Sequence, residues 1–445
     1  MSEEPAAERV DGRFVLEALA GRGGMGEVWR ARDEATGETV ALKLLLLTGR
    51  LAAARFATEV SLLRDATHAN LVRYLAHGED ARRGPWLAME WIEGTPLDAR
   101  LERGALSALE ALALIGALAD GLASLHARGT VHRDLKPENV LLVGDDPTRP
   151  KLVDFGVART SSARHTRPGM VVGTPGYIAP EQIRGEPVDA RADVFALGTL
   201  LYECLAGRPA FEGEHPLATF TKTLLDEPVP LPALRPDLPS EIADLAHALL
   251  AKEPAARPSD AAAVAALLAQ AGRGGETVVQ VSLPRVGDDE RRMVSLLVGQ
   301  RPMDGGDQTL DDEVVRAERA RLLAAAARFG ATVEVVTSNS FAVTVPRGPV
   351  GTDAPRRAVR CALALGRELP DHAMAVATTR ADTSLTGGIA DTIERATRLL
   401  PSTPGAVAVD DATAALLDGR FVLDEGRADD RLRVVQERAG PPLPR

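Results

Sequence analysis

Lysine is scarce in this 445-residue chain. Only Lys43, Lys136, Lys151, Lys222 and Lys252 are present, although Lys and Arg together number 52. Arginine supplies nearly all of the positive charge, so each remaining lysine is a candidate for a specific role. Positive charge as a whole is also in deficit, because 63 Asp and Glu give a net charge of -11. This balance argues against nucleic acid or an anionic membrane as the main partner.

Cysteine is scarce as well, and long apolar runs are not evident. Cys204 and Cys361 lie far apart in apolar surroundings, which predicts buried free thiols in a reducing compartment. We expect no apolar run to approach the ~18–20 residues that a membrane-spanning helix needs. Residues 1–9 are acidic and lack the apolar core of a signal peptide. Together these features predict a cytoplasmic protein with no membrane segment.

The totals otherwise describe an ordinary globular protein. Apolar residues make up 45% and charged residues 26% of the chain. The length predicts roughly two or three domains. The excess of acid lies mostly in residues 1–270, with 29 basic and 38 acidic residues, and the Gly-rich run at 271–276 is a plausible linker.

The segment from Val131 to Val140 carries the most chemistry. Asp134 can orient an attacking hydroxyl and accept its proton, and Lys136 can offset charge on a transferring phosphoryl group. The amide oxygen of Asn139 can hold a metal ion. Phosphoryl transfer requires this set of side chains. A polar surface turn is the alternative, so companion motifs in the right order are needed.

A Gly-rich stretch and an apolar strand with one lysine come first. Gly21, Gly23 and Gly26 would let a hairpin backbone approach phosphates without a Cβ in the way. A dinucleotide-binding turn is the rival interpretation, but it requires a helix directly after the glycines. Residues 27–32 instead have the pattern of a strand, and a further strand at 40–43 ends at Lys43.

Two more motifs follow the central segment. Asp154-Phe155-Gly156 comes twenty residues after Asp134, directly behind a short predicted strand at 151–153. Residues 157–178 are rich in Thr, Ser and Arg, and Ala179-Pro180-Glu181 closes that segment.

In this order the motifs resemble those of eukaryotic-like bacterial Ser/Thr protein kinases: the Gly-rich loop, V-A-I-K (here with Leu42), H-R-D-x-x-x-x-N, D-F-G and A-P-E. The resemblance covers residues 14 to about 269. It implies a two-lobed kinase fold, with a β-rich N-lobe at 14–91 and a helical C-lobe at 92–270. It also implies ATP and Mg²⁺ as cofactors, with Mn²⁺ as an alternative, and proteins with Ser or Thr hydroxyls as substrates.

The resemblance assigns a role to each matching position. The catalytic residues would be Asp134, Lys136, Lys43 and its ion-pair partner Glu59. Asn139 and Asp154 would bind the metal. The ATP site would be formed by Gly21, Gly23, Gly26, Val28, Ala41, Lys43, Glu90, Ile92 and Leu141, with the backbone of residues 90–92 meeting adenine and Met89 as gatekeeper.

Other positions would regulate or support the site. Arg133 would grip a phosphorylated activation loop, whose candidate residues are Thr166 (preferred), Thr160 and Thr174. Thr174 would lie near Asp134 and Lys136. Asp193 would hold the catalytic-loop backbone, and Arg257 would pair with Glu181.

Residues 271–445 have a different pattern. Strands are predicted at 292–298, 332–337, 341–345 and 374–378, and helices at about 311–329 and 354–367. This β-α-β-β-α-β order predicts a ferredoxin-like core, so the fold class is α+β, a kinase fold followed by a ferredoxin-like domain.

Details of this second part resemble the class III nucleotidyl cyclase domain from about Arg291 to Glu437. The first strand at 291–298, the helix at 357–365 and the closing segment at 404–409 carry the likeness. The positions that resemble the metal-binding aspartates are Gln300 and Asn339, which follows Ser338. The Asn of the N-x-x-x-R pair becomes Glu394, while Arg398 remains. Neutral amides are poor magnesium ligands, so we expect no cyclase activity.

The predicted organisation is a disordered N-terminus at 1–13, a kinase domain at 14–270, a linker at 271–290, a degenerate cyclase-like domain at 291–437 and a tail at 438–445. The leading hypothesis is an active kinase, autophosphorylating on its activation loop, whose C-terminal domain is regulatory or forms a homodimer. A pseudokinase scaffold and an active cyclase controlled by a kinase domain are the alternatives.

Overall fold

The chain divides into two compact units in the computed structural model. The model describes residues 8–23, 26–45, 50–154, 174–271, 292–302, 312–337, 339–345, 353–381, 387–425 and 432–438. The first unit lies within 1–165, 189–209 and 235–275, and the second within 166–188, 210–234 and 276–445. The boundaries predicted at 270 and 291 follow the sequence pattern and stay a prediction.

A six-stranded sheet begins the first unit. Its strands are β1 (Arg9–Val10), β2 (Phe14–Gly23), β3 (Gly26–Asp33), β4 (Thr39–Leu45), β5 (Tyr74–Asp80) and β6 (Gly84–Glu90), and α1 (Arg50–Asp65) precedes β5. The spatial order is β1-β2-β3-β4-β6-β5. Alternate residues of β4, including Leu42 and Leu44, pack with Phe14 and Trp86, whose rings meet edge to face at 4.8 Å.

Helices dominate the residues that follow. The chain continues with β7 (Gly94–Pro96), α2 (Leu97–Leu101), α3 (Ala108–His126), β8 (Val140–Val143), β9 (Pro150–Leu152), α4 (Pro180–Arg184), α5 (Arg191–Ala206), α6 (Pro216–Leu225), α7 (Leu231–Leu234), α8 (Ser240–Leu249) and α9 (Ala261–Ala271). Of these helices, α4, α6 and α7 belong to the second unit. The predicted β-rich first lobe and helical second lobe are confirmed.

Helix α3 begins at a capping box and forms the centre of the helical part. Ser107 accepts from the Glu110 amide at 3.2 Å, and the Glu110 carboxylate accepts from the Ser107 amide at 2.9 Å. Leu114, Ile115 and Leu118 are fully buried, and the helix packs against α5 and α9. Burial of this face holds the end of α3 in place, and the catalytic loop follows directly.

Helix α3 also corrects one sequence-based expectation. Its 19 residues, with a mean hydropathy of 1.6, are long and apolar enough to cross a membrane by length and composition. The statement that no apolar run approaches bilayer length is therefore wrong. A buried core helix passes the same compositional test, so α3 is only weak evidence for a membrane span.

The second unit contains a seven-stranded sheet. Its strands are β10 (Arg292–Gln300), β11 (Thr332–Thr337), β12 (Ser340–Thr344), β13 (Ala373–Ala381), β14 (Val407–Val409), β15 (Phe421–Glu425) and β16 (Leu432–Glu437). The helices of this part are α10 (Asp312–Ala327), α11 (Asp353–Glu368), α12 (Gly387–Leu399) and α13 (Asp411–Leu416). The spatial strand order is β11-β12-β10-β13-β14-β16-β15.

Both cysteines are free and buried, as predicted. Burial raises the pKa of the Cys204 thiol, and it raises the pKa of Cys361 to about 11. Neither thiol is poised for nucleophilic chemistry, because the thiolate is the reactive form.

His372 makes the stability of the second unit depend on pH. It is 3% exposed, its ring lies 5.7 Å from that of Phe341, and desolvation, then the charge of Arg301, lowers its pKa to about 4. Below the unfolded pKa of about 6.5, the unfolded chain binds a proton that the folded chain does not. Stability is therefore lost as the pH falls from 6.5 towards 4.

We expect the unfolding free energy of the second unit to fall by about 2 kcal/mol between pH 7 and pH 5 through this group. Amide hydrogen exchange of β10 and β13 in the full chain measures this change. His372→Leu should remove that part of the pH dependence, whereas His247→Leu, at an exposed histidine in α8, should keep it. An identical pH dependence in His372→Leu would contradict the assignment.

Candidate active site

The catalytic loop is closed by hydrogen bonds between its own residues. A 3-10 turn at Pro137–Asn139 follows it, in which the Asn139 amide donates to the Lys136 carbonyl at 3.0 Å. The Asn139 side-chain nitrogen donates to the backbone oxygen of Asp134 at 2.8 Å and approaches its carboxylate at 3.3 Å. The Val153 amide in turn donates to the Asn139 carbonyl at 2.8 Å. These bonds join Asp134, Asn139 and the residue before Asp154 in one network.

Asp193, from α5, holds the loop from behind. Its carboxylate is fully buried and accepts from the backbone amides of His132 and Arg133, each at 2.7 Å. His126 Nε2 donates to the same carboxylate at 2.9 Å. The Nδ1 atom of His126 accepts from the Ala261 amide at 3.1 Å, so the proton of the neutral ring lies on Nε2. This carboxylate therefore connects the loop to α3, α5 and α9.

Two site residues have left-handed backbone conformations. The φ angles are +65° at Arg133 and +56° at Asp154. Such conformations cost non-glycine residues of order 1–2 kcal/mol each and persist only where surrounding bonds hold them. At Arg133 the hydrogen bond from its backbone amide to the Asp193 carboxylate provides that restraint. Burial also lowers the pKa of the Arg133 guanidinium.

Lys43 and Asp154 form the central ion pair of the site. Lys43 Nζ donates to Asp154 Oδ1 at 2.5 Å, and the Lys43 side chain is 8% exposed. Desolvation raises the pKa of Asp154, but the charge of Lys43 and its hydrogen bond outweigh this effect and lower the pKa below its usual value. Asp154 is therefore an anion at neutral pH.

Strand register places three of the predicted nucleotide-binding residues, Val28, Ala41 and Lys43, on one face of the sheet. Val28 lies opposite Lys43 in the β3–β4 pair, and Ala41 lies two residues before Lys43 along β4. Directly paired residues and residues two apart share a face of a sheet. Met89 lies opposite Ala41 and is on the same face. The other face carries Leu42 and the core described above.

The backbone at Gly26, in the Gly-rich stretch, requires a glycine. Its φ angle is +156°, and a Cβ there would lie 2.0 Å from the Leu44 carbonyl oxygen. A Cβ at Gly21 would meet nothing within 4 Å. Gly23 pairs with Gly26 at the end of the β2–β3 hairpin.

The predicted hinge is tied to the helical part by a lysine. Glu90 ends β6 and forms an ion pair with Lys151 of β9, and its carboxylate also accepts from the Arg73 amide at 2.9 Å. Leu141 lies opposite Lys151 in the β8–β9 pair. Both Leu141 and Ile92 are half-buried.

Several predicted residues are not brought to the site by the described structure. Phe155, Thr160 and Thr166, together with the side chain of Glu59, lie outside the described residues. Thr174 and Glu181 belong to the second unit, where Glu181 is buried in α4. Arg257, in the first unit, donates to the carbonyls of residues 191, 251 and 252 and lies 4.9 Å from the Phe195 ring. The Lys43–Glu59 and Glu181–Arg257 pairs stay predictions.

The sequence did not predict the roles of two supporting residues, His126 and Lys151. His126 ends an apolar helix and gave no signal, because its role depends on Asp193 and Ala261, which are distant in sequence. Lys151 did carry a signal, since lysine is so rare in this chain. Its partner Glu90 could not be read from spacing.

The donor set suits a hard divalent cation. Because the Asn139 nitrogen is directed to Asp134, the Asn139 Oδ1 atom is the one that can bind a metal, and Asp154 supplies a carboxylate. Magnesium prefers oxygen ligands and commonly takes one or two from protein and the rest from phosphates and water. Among the described residues there is no cluster of three His, Cys, Asp or Glu side chains suited to a metal.

Comparison with known proteins agrees with this geometry. Residues 14–269, more than half of the chain, match the protein kinase domain family. The chain is 39% identical over 265 residues to the serine/threonine-protein kinase PkaB of Streptomyces coelicolor, covering 56% of this chain and 61% of PkaB. It is 34% identical over 280 residues to the serine/threonine-protein kinase pkn3 of Myxococcus xanthus, covering 60% of this chain and 51% of pkn3.

A third relative is the DNA damage-responsive serine/threonine-protein kinase RqkA of Deinococcus radiodurans, at 39% identity over 269 residues, 59% of this chain and 40% of RqkA. The chain thus matches about half the length of these relatives. With the family match and the site geometry together, this chain belongs to the protein kinase family.

Proposed function

We propose that this protein transfers the γ-phosphate of ATP to Ser and Thr hydroxyls of proteins, including its own activation loop, in bacterial signal transduction. The observation that carries the proposal is the Lys43–Asp154 ion pair, joined through Val153 and Asn139 to Asp134. This set supplies a phosphate-binding cation, two metal-binding oxygens and a proton acceptor.

Each side chain has one task in the proposed reaction. Asp134 orients the substrate hydroxyl and accepts its proton, while Lys136 offsets charge on the transferring group. Lys43 binds the α- and β-phosphates, and Asn139 and Asp154 hold the metal. When bound, Mg²⁺ neutralises and orients the phosphate oxygens, a role that Mn²⁺ can also fill. Val28, Ala41 and Leu141 cover the adenine, with the backbone at 90–92 as its hydrogen-bonding edge.

A pseudokinase scaffold is the alternative within the same fold. Loss of catalytic power in such a protein would leave the metal-binding or proton-accepting positions substituted. Lys43, Asp134, Asn139 and Asp154 are all present, and all four take part in the hydrogen bonds described above. The arrangement favours an active enzyme.

Asp134→Asn tests the proposed proton acceptor. We expect transfer to fall by roughly 10³-fold while ATP binding stays nearly unchanged, because the amide keeps the shape but cannot accept the proton. Asp146→Asn makes the same exchange at an exposed carboxylate that only bonds to Thr148, and should transfer normally. Incorporation of radiolabelled phosphate from ATP, with Mg²⁺ and with chelator, measures both variants.

The same reaction reports the site of autophosphorylation. Mass spectrometry of the parent protein should find phosphate between residues 154 and 181, at Thr166 first, where it can bond to Arg133 and order the loop. Equal transfer by Asp134→Asn would overturn the role of Asp134. An active protein with an unmodified loop would overturn autophosphorylation there.

For residues 291–437 we propose a ferredoxin-like, cyclase-derived domain that has lost catalysis and is regulatory or pairs two chains. In support, elements follow the order β10-α10-β11-β12-α11-β13, and Gln300 lies opposite Ser340 on the neighbouring strand. The Arg301 amide donates to the Asn339 carbonyl at 2.7 Å, so Gln300, at the end of β10, and Asn339, in the turn before β12, lie beside each other where two metal-binding acids would be needed. Pairing would raise the local concentration of one kinase domain near another's loop.

We expect no cyclic AMP or cyclic GMP from the full chain with ATP or GTP and either Mg²⁺ or Mn²⁺. The reason is that neither Gln300 nor Asn339 can supply the anionic oxygen that two-metal chemistry uses. Chromatography of the nucleotide products, beside an active class III cyclase as positive control, measures this. Cyclic nucleotide whose amount increases in proportion to the protein concentration would instead favour an active cyclase controlled by a kinase domain.

A further inference from the structure

The second unit joins two pieces of the kinase domain to the C-terminal residues. Helix α6 packs against α12 and β11, and α4 packs against β11. The apolar side chains at these contacts form one buried cluster. From the kinase domain it contains Ile178, Ile183, Leu217, Ala218, Phe220 and Leu224, and from the C-terminal residues Leu296, Val298, Val336, Ala342, Ala377, Ile393 and Ala396.

This cluster is as buried as a domain core. Its members are at most 6% exposed, and Val298, Val336 and Ile393 are fully buried. Fully burying one aliphatic or aromatic side chain contributes about 1.5–3 kcal/mol. The face of the sheet opposite α10 and α11 is therefore covered by α12 together with the kinase-domain helices α4 and α6.

Two ion pairs flank the cluster, and both have the same polarity across the contact. Arg184 of α4 donates twice to the Glu334 carboxylate of β11, at 2.9 and 3.1 Å. Lys222 of α6 donates to Glu394 of α12 at 2.6 Å. All four side chains are at most 17% exposed, so solvent screens these pairs little. In both pairs the cation comes from the kinase domain and the acid from the C-terminal residues.

A third pair lies at the rim. Arg398 and Glu214 are 2.6 Å apart, but their side chains are 59% and 66% exposed, so the pair adds little stability. Glu394 and Arg398 are one helical turn apart on α12. They form ion pairs with Lys222 and Glu214 of the kinase domain, respectively. The resemblance to class III cyclases places the Asn and Arg of the cyclase site at these two positions. In this chain the same side of α12 contacts residues of the kinase domain.

We propose that residues 291–437 bind helices α4 and α6 of their own kinase domain through this apolar, charge-matched surface, and so fix the C-terminal end of the activation segment. Ile178, within the cluster, lies four residues after Thr174, and α4 starts at Pro180. The binding partner is the same chain, because the two faces lie within one compact unit of a single chain. The surface does not depend on phosphoryl transfer, so the proposal stands apart from the proposed activity.

The test uses the full chain with a protease site placed within residues 276–290. After the folded protein is cleaved, the two fragments should elute together in size-exclusion chromatography. Lys222→Glu and Glu394→Lys, each alone, should weaken the association of the fragments at least ~10-fold, because each places like charges together in a poorly screened site. The double variant should restore the association to within a few-fold of the parent. Arg184→Glu and Glu334→Arg form a second, independent cycle.

A matched control lies elsewhere in the same domain. Arg360 donates to both oxygens of Glu437 at 2.7–3.1 Å, within the C-terminal residues. Glu437→Lys should leave co-elution unchanged, and circular dichroism shows that each variant is folded. Amide exchange in residues 174–184 and 216–225 should rise in the single charge reversals and return to the parent rate in the double variant.

Any one of four results would overturn the proposal. Separation of the parent fragments would show that the surface does not hold in solution. Single reversals that elute like the parent, or double variants that fail to restore association, would show that the ion pairs do not belong to the surface. A parent dimer that the single reversals convert to monomers would assign the partner to a second copy instead of the same chain.

Discussion

The buried carboxylate of Asp193 is the constraint on which the site depends. Two backbone amides of the catalytic loop donate to it at 2.7 Å, and one of them belongs to Arg133, whose left-handed φ would otherwise be unfavourable. A hydrogen bond from a backbone amide to a carboxylate contributes about 1.5–3 kcal/mol to stability, which is enough to offset that strain. Because Asp134 follows directly, its position relative to Asn139 and the residues before Asp154 is set by a carboxylate that takes no part in the chemistry.

The second unit shows that a boundary in sequence need not be a boundary in packing. The kinase family match ends at residue 269, yet α4 and α6 share a core with strands more than 70 residues further on. The acids on β11 and α12 are opposite in charge to the cations on α4 and α6 and are buried to a similar extent. The strands and α12 of the C-terminal residues thus provide a surface that contacts helices of their own chain.

Local patterns predicted most of the elements, because strand alternation and helix caps are encoded within a few residues. Ser107 and Glu110 mark the start of α3, and the glycine at 26 marks a hairpin end whose backbone admits no Cβ. Contacts between distant residues were harder to predict. Nothing in the sequence pairs Lys151 with Glu90, or Lys222 with Glu394, although the scarcity of lysine marked both cations. The expectation about bilayer-length runs failed because the helix at 108–126 has the composition of a membrane span and the burial of a core helix.

The most direct test of this account is the amide exchange of His132 and Arg133 in the full chain and in Asp193→Asn. The variant keeps the size of the side chain but replaces one accepting oxygen with an NH₂ group that faces a donor. The account predicts that the amide facing the NH₂ group exchanges about 10- to 100-fold faster, since it loses a hydrogen bond of about 1–3 kcal/mol. The other amide should also exchange faster, because its acceptor is no longer charged. Thr199→Val, which removes a buried hydroxyl bond in the same helix, should leave the two rates unchanged. Equal protection of His132 and Arg133 in the parent and in Asp193→Asn would contradict the account.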